Sequence, residues 1–412
     1  MTGPDDRQRA ARRFVTDEVV GGALLAAGGL AGLVWANVPG RGSYATVWER
    51  GISVLPGTGH QLGSARDLVN GGLMAVFFLV IGLELGRERR EGVLADRRSA
   101  ALPVVGAAGG MVGAALVYLA WNTSAPGVRG WGIPLATDVA VALAALAVLG
   151  RRVPPGVRAW LLALAVADDL GSIAVLAVTG ASDLRPVALA GAAVVVAVMG
   201  LVRARWQGER AWPALVGAVP LWYLLAVGGV EPALAGVAAG LLVPPAAAPR
   251  VERVAVPIST LVALPVFGLA NAGLTLSVRA LAPVGATGVF AGVATARVVG
   301  KVAGITGASV LAVRIGGARL PPGVRWRHLV GGAAVAGIGF TVPVLVATAV
   351  YSDRPALVGA AELGLVAGSA VAFVLGAGLL AAVHRRERAG AVPRRESAAS
   401  PYAEPDDPEE ET

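Results

Sequence analysis

The chain has 412 residues, of which 55% are hydrophobic and 15% charged, with 57 glycines, no cysteine and a formal net charge of +8. That is too apolar for the surface of a water-soluble domain, and the missing cysteine excludes disulfides, thiolate metal sites and thiol nucleophiles. The basic excess does not point to nucleic acid, because no basic face with interleaved aromatics is present; arginines between apolar stretches set membrane topology instead.

A spanning helix needs about 20 mainly apolar residues. Twelve stretches qualify: 18–37, 67–86, 101–121, 130–150, 158–180, 186–202, 212–229, 232–245, 254–276, 285–311, 328–350 and 356–383. The first is continuous with the rest and reads as a retained anchor rather than a cleaved signal, with residues 1–17 as a cytoplasmic segment before it. Residues 40–66 contain "TVWERGISVLPGTGHQ", whose β-branched, aromatic and Gly/Pro pattern predicts a hairpin outside the membrane. A homodimer would pair through this segment. Pro134 with "ATD" interrupts the fourth span, and "GIGF" with Pro343 the eleventh; such breaks are tolerated where the opened backbone lines a cavity. The membrane domain is expected over 18–384. The tail, 385–412, is polar, Pro-rich and acidic at its end, a composition of disorder.

Placing the N-terminus inside and alternating through twelve spans puts 26 arginines on the inner side and seven on the outer. That asymmetry supports two cytoplasmic termini and the number twelve, since one miscounted span would scramble it. Arg297 and Lys301 remain, both within the tenth span.

Lys301 is the only lysine in the chain. A composition that uses arginine everywhere else but keeps an ammonium inside the membrane suggests a position where guanidinium will not serve, because lysine can lose its proton. The plainer alternative is a survivor of the arginine bias that snorkels to the interface. Asp138, after Thr137, is the sole charge between Arg129 and Arg151, and Asp168 and Asp169 sit mid-way in the fifth span. Adjacent helix positions diverge by about 100°, so both aspartates can edge one cavity without meeting at one atom. One can hold a fixed cation, Lys301, while its neighbour holds a mobile one; spacing leaves open which does which.

Soluble-enzyme motifs fail. "TARVVGKV" has Thr295 and Val302 where a phosphate loop needs Gly and Ser or Thr, and "GIGFTV" lacks the third Gly of a dinucleotide loop. Spans 3–5 (about 101–180) and 10–12 (about 285–383) form two three-helix units of opposite orientation, each with its middle helix broken. That is the pattern of an inverted-repeat secondary transporter with its site at the midplane.

The segments "NGGLMAVFFLVIGLELGRE", "LATDVAVALAALAVLG", "LALAVADDLGSIAV", "GVEPALAGVAAGLL", "LPVFGLANAGL", "VVGKVAGI" and "AGIGFTVPVLVA", in this order, closely resemble the motifs of the NhaA-type sodium/proton antiporters over about residues 13–383. The resemblance implies that Asp169 is the main cation and proton carboxylate, that Asp168 pairs with Lys301, and that Thr137 and Asp138 sit where the broken helices cross. It implies that Asp138 and Lys301 compensate the two kinds of buried helix end. It implies an acid-lined cytoplasmic funnel with a pH response, at Glu84, Glu88, Glu252 and Glu231. Departures are Gly71, where the family often has an acid, Glu231 where many members have His, Glu362 in the last span, and Arg297. The expectation is an electrogenic exchanger of the plasma membrane, moving Na⁺ or Li⁺ out against H⁺ for sodium and pH homeostasis, with no cofactor and no enzymatic chemistry. Two rivals are a sodium-coupled symporter of an organic anion, hinted at only by Arg297, and a non-transporting membrane pH sensor.

Overall fold

In the computed structural model, which describes residues 4–38, 42–53, 61–92, 94–150, 153–179, 185–205, 209–273, 282, 285–351 and 353–390, apolar sequence becomes helix almost throughout. Helix α1 (Pro4–Asn37) leads to α2 (Gly42–Trp48) and to strands β1 (Gly51–Ser53) and β2 (Gln61–Ser64), paired antiparallel with Gly51 opposite Ser64. The described parts of the 40–66 segment thus include a hairpin, and its tip lies outside the described residues. Next, α3 (Ala65–Leu68), a π-helical turn (Val69–Leu73) and α4 (Met74–Glu91) continue one another. Helix α5 (Arg97–Trp121) starts at Asp96, whose Oδ2 accepts from the Ser99 N–H at 3.1 Å and the Ser99 hydroxyl at 3.0 Å.

A 3₁₀ turn (Gly127–Gly132) and the non-helical residues 133–138 precede α6 (Val139–Leu149). Then come α7 (Pro155–Thr179), α8 (Pro186–Arg205), α9 (Trp212–Gly228) and α10 (Leu234–Leu242). A π-helical turn joins α11 (Ala248–Ile258) to α12 (Leu264–Asn271), and another (Ala296–Gly300) joins α13 (Ala286–Thr295) to α14 (Lys301–Arg314). Helix α15 (Trp326–Val335), the non-helical residues 336–340, α16 (Thr341–Val350) and α17 (Pro355–Gly390) are the last of the described elements. Among the described residues, seven helical stretches are long and apolar enough to cross a membrane, and α6 and α9 are shorter apolar helices.

Two helices extend beyond their apolar spans: α1 begins at Pro4, within residues 1–17, and α17 runs to Gly390, past residue 385. The added residues, such as "HRRERAG", are rich in Arg, Glu and Ala, which extend a helix beyond its apolar part at little cost. The rest of the expected tail, 391–412, lies outside the described residues.

One helix pair fixes the frame of the site. Gly109 and Gly113 of α5 meet Gly300 and Gly304 at the start of α14 with their backbones in contact. A Cβ added at Gly113 would lie 2.9 Å from Gly304 Cα, and one at Gly300 would lie 2.7 Å from the Gly113 carbonyl oxygen. Small residues four apart let two helices approach this closely. Lys301, between Gly300 and Gly304, is thereby pressed into the interior and fully buried.

Candidate functional site

The two non-helical segments meet each other. The Asp138 N–H donates to the Ile338 carbonyl at 3.1 Å, so one backbone hydrogen bond ties the segment before α6 to the segment after α15. Local sequence makes both openings. Pro134 contributes no N–H. Asp138 has the extended backbone of a helix cap, and its Oδ1 accepts from the Val141 N–H at 3.2 Å, which starts α6. On the other side, Gly339 admits a close neighbour: a Cβ there would lie 2.7 Å from Arg297 Cζ and 2.8 Å from the Ala136 carbonyl oxygen. Pro343 falls in the first turn of α16, where a missing N–H has no intrahelical role.

Around this crossing the structure gathers Thr137, Asp138, Asp168, Asp169, Arg297 and Lys301, all buried. Lys301 forms an ion pair with Asp168 Oδ2, both side chains fully buried. The Thr137 hydroxyl lies 2.7 Å from Asp168 Oδ2 and 2.7 Å from the Ala336 carbonyl oxygen, and it accepts from Lys301 Nζ at 3.0 Å. Its single proton goes to one of the two oxygens, so the hydroxyl sits as a hinge between carboxylate, ammonium and the end of α15. Asp169, on the next position of α7, is held by a turn in which the Ser172 hydroxyl donates to the Asp169 carbonyl at 2.9 Å. Asp168 Oδ1 and Asp169 Oδ1 are buried with no hydrogen-bond partner among the described residues. Two carboxylate oxygens with unused lone pairs, next to one ammonium, can accept a small cation or a proton.

Asp138 caps the N-terminus of α6, and Lys301 gives its hydrogen bonds to Asp168 and Thr137. Arg297 holds one carbonyl from each opened segment: its Nε donates to the Gly337 carbonyl at 2.8 Å and its Nη2 to the Ala136 carbonyl at 3.2 Å. A planar fork reaches two carbonyls on different segments where a point-charge ammonium cannot. The acids fall in two places. Glu84 and Glu252 are joined through Arg87, which pairs with Glu84 and lies 3.7 Å from Glu252, and Glu88 follows one turn on in α4. Glu231 does not join them. It lies beside the opposite end of α4, because Pro232 packs on Gly71, where a Cβ would come within 2.6 Å of Pro232 Cγ, and because the Trp222 indole donates to the Gly71 carbonyl at 2.7 Å. Pro232 thus fills the room that a side chain at position 71 would need.

Arg297 is the site residue whose contacts the sequence did not reveal. A backbone carbonyl leaves no mark in a sequence, and neither does the π-helical turn that carries Arg297 into Lys301; only its burial in an apolar span signalled it.

A buried ion pair at the meeting of two opened segments, in a multi-pass helical protein, defines a class: membrane transporters of small ions. Comparison with known proteins agrees. Residues 12–380 match the model of the family described as Na+/H+ antiporter 1. The chain is 44% identical to Na(+)/H(+) antiporter NhaA 2 of Frankia alni over 87% of its own length and 76% of that protein's. It is 38% identical to NhaA 3 of the same organism, with 91% and 89% covered, and 37% identical to NhaA of Serratia proteamaculans, with 90% and 97% covered. The chain belongs to the Na+/H+ antiporter 1 family.

Proposed function

We propose that this antiporter exchanges Na⁺ for H⁺ at the Asp168–Asp169 pair. The observation that carries the reading is the buried Lys301–Asp168 ion pair, linked through Thr137 to the crossing, with Asp169 beside it and a carboxylate oxygen of each aspartate unpartnered among the described residues. Taking a carboxylate out of water disfavours its bare charge, so Asp169 takes either H⁺ or a dehydrated cation. Occupancy by one excludes the other, and that competition is the exchange. Asp168, relieved of Lys301 when the cation arrives, is the second ligand. Two titrating groups against one cation give electrogenic transport, and Li⁺, smaller and of the same charge, is an alternative cargo.

The same reading has twelve crossings with both termini cytoplasmic, two inverted repeats over about 101–180 and 285–383, and a bilayer-embedded domain over 18–384 in the plasma membrane. Its support is the arginine asymmetry between loops and the meeting of residues 136–138 with residues 336–339. Alternate exposure of the site then comes from rocking one bundle against the other. Glu84, Glu88 and Glu252 gather cations at the cytoplasmic end. A homodimer would form through the hairpin segment. Arg297, the sole hint of an organic-anion symporter, has two of its donors engaged by carbonyls.

The test uses everted vesicles acidified inside and a pH dye. Adding Na⁺ or Li⁺ should release lumenal protons with the unaltered protein and not with Asp169→Asn, which keeps size and hydrogen bonding but cannot titrate. Substantial Na⁺-driven proton flux in that variant would move the site elsewhere.

A further inference from the structure

We propose that Arg297 is the positioning residue of the ion site: its guanidinium clamps residues 136–138 to residues 336–339, so the crossing keeps its shape when Lys301 lets go of Asp168. The inference rests on the reading of Asp168 and Asp169 as that site. Arg297 is fully buried, yet its two engaged donors both go to backbone carbonyls, one from each opened segment. The Ala136 and Gly337 carbonyls flank the two connections that matter, since Thr137 touches Asp168 and the Ala336 carbonyl, and Asp138 N–H touches Ile338. Gly339 leaves the passage for the fork, where any Cβ would collide with Arg297 Cζ. Guanidinium is a permanent cation, so this clamp is insensitive to proton uptake and release next to it.

A division of labour follows. Were Lys301 the group that neutralised the exposed carbonyls, each release of Asp168 during a cycle would also loosen the crossing. With Arg297 there, the hydrogen bonds of the ammonium go, among the described residues, to Asp168 and the Thr137 hydroxyl, and its movement leaves the scaffold intact. Arg297 touches neither carboxylate by a hydrogen bond; it acts through the backbone that aims Thr137 at Asp168.

Hydrogen exchange on the purified full-length protein in detergent, followed in peptides covering residues 133–141 and 335–341, separates the two cations. Arg297→Gln should speed exchange there on the order of tenfold or more, the scale of losing charge-assisted hydrogen bonds. Arg297→Lys, which reaches one carbonyl at a time, should fall between, and Lys301→Gln, which removes a contact to Thr137 but none to the clamped carbonyls, should loosen these peptides much less than Arg297→Gln does. In proteoliposomes Arg297→Gln should raise the apparent KM for Na⁺ several-fold, with partial recovery in Arg297→Lys. Unchanged protection in Arg297→Gln would overturn the proposal. So would loosening by Lys301→Gln to the same extent, or a KM that falls or stays level, the result for a residue that merely repels cations. Should Arg297→Gln fail to fold, Arg297→Lys decides alone: full protection with unaltered KM contradicts the clamp. Asp169→Asn, assayed alongside, tests the ion-site reading by itself, because its exchange activity does not bear on the protection pattern.

Discussion

At the residue scale, everything depends on how a membrane interior tolerates charge. Asp168 and Lys301 are each fully buried and neutralise one another. Removing one partner strands the other, at a typical cost of about 3–5 kcal/mol, whereas removing both can be nearly neutral. Thermal melts in detergent should therefore show large losses for Lys301→Ala and Asp168→Asn singly, and recovery of much of that loss in the double variant. Additive losses would contradict the pairing. Lys301→Arg should retain most of the stability yet lose any step in which the lysine gives up its proton. Asp138, Asp168, Asp169 and Lys301 stood out in the sequence because ionisable groups are rare in apolar spans, while spacing left open which aspartate meets Lys301. What Thr137 and Arg297 hold was not legible, since the Ala336, Ala136 and Gly337 carbonyls are backbone and look alike in any sequence.

At the element scale, the glycine seam between α5 and α14 sets where Lys301 can reach. Gly113→Ala places a methyl group against the Gly300 and Gly304 backbone, which no rotamer change relieves. Overpacking of this kind costs about 1–3 kcal/mol. The expected outcome is a lower melting temperature together with reduced exchange, as the helices part and carry Lys301 from Asp168; a variant with unaltered stability would show that the seam yields freely. The start of α5 carries a separate pH dependence. Asp96, at the exposed cap, has its carboxyl held below the usual range, first by the Ser99 hydroxyl and then by backbone N–H groups. A folded-state value below the unfolded one gives stability that is present above the ordinary Asp range, about pH 4, and lost as pH falls through the lowered value. Asn caps about as well as Asp and does not titrate. The melting temperatures of Asp96→Asn and the unaltered protein should thus differ by a constant amount at neutral pH and change relative to each other only below that range. A difference that varies between pH 6 and pH 8 would assign the titration to another group.

Helical character was legible from hydropathy alone, because a long apolar run has few other solutions, and seven helical stretches among the described residues are long and apolar enough to cross a membrane. The helix ends were not legible. Helix α10 covers only nine residues within the expected 232–245, and α1 and α17 extend into charged sequence. The π-helical turns at Val69–Leu73, Ser259–Ala263 and Ala296–Gly300 carry no sequence signature either, since they add one residue per turn without changing composition.

At the scale of the whole molecule, the charged groups fall into separate places. Glu84, Arg87 and Glu252 cluster at the C-terminal end of α4, Glu231 lies beside its other end, and the six buried polar side chains of the crossing occupy the interior. The sequence could not separate Glu231 from the other acids, because which end of a bundle a loop residue occupies depends on how α10 packs along α4. That packing is parallel, Gly71 meeting Pro232 and Gly82 meeting Gly240. An exchanger so arranged requires that one carboxylate bind proton and cation in turn, and this can be observed without a membrane. Na⁺ added to the purified protein in weakly buffered detergent at mildly alkaline pH should release protons in a saturable manner, with no release on adding a large organic cation. Asp169→Asn should bind no Na⁺ and release no protons. Undiminished proton release from that variant would contradict competition at Asp169.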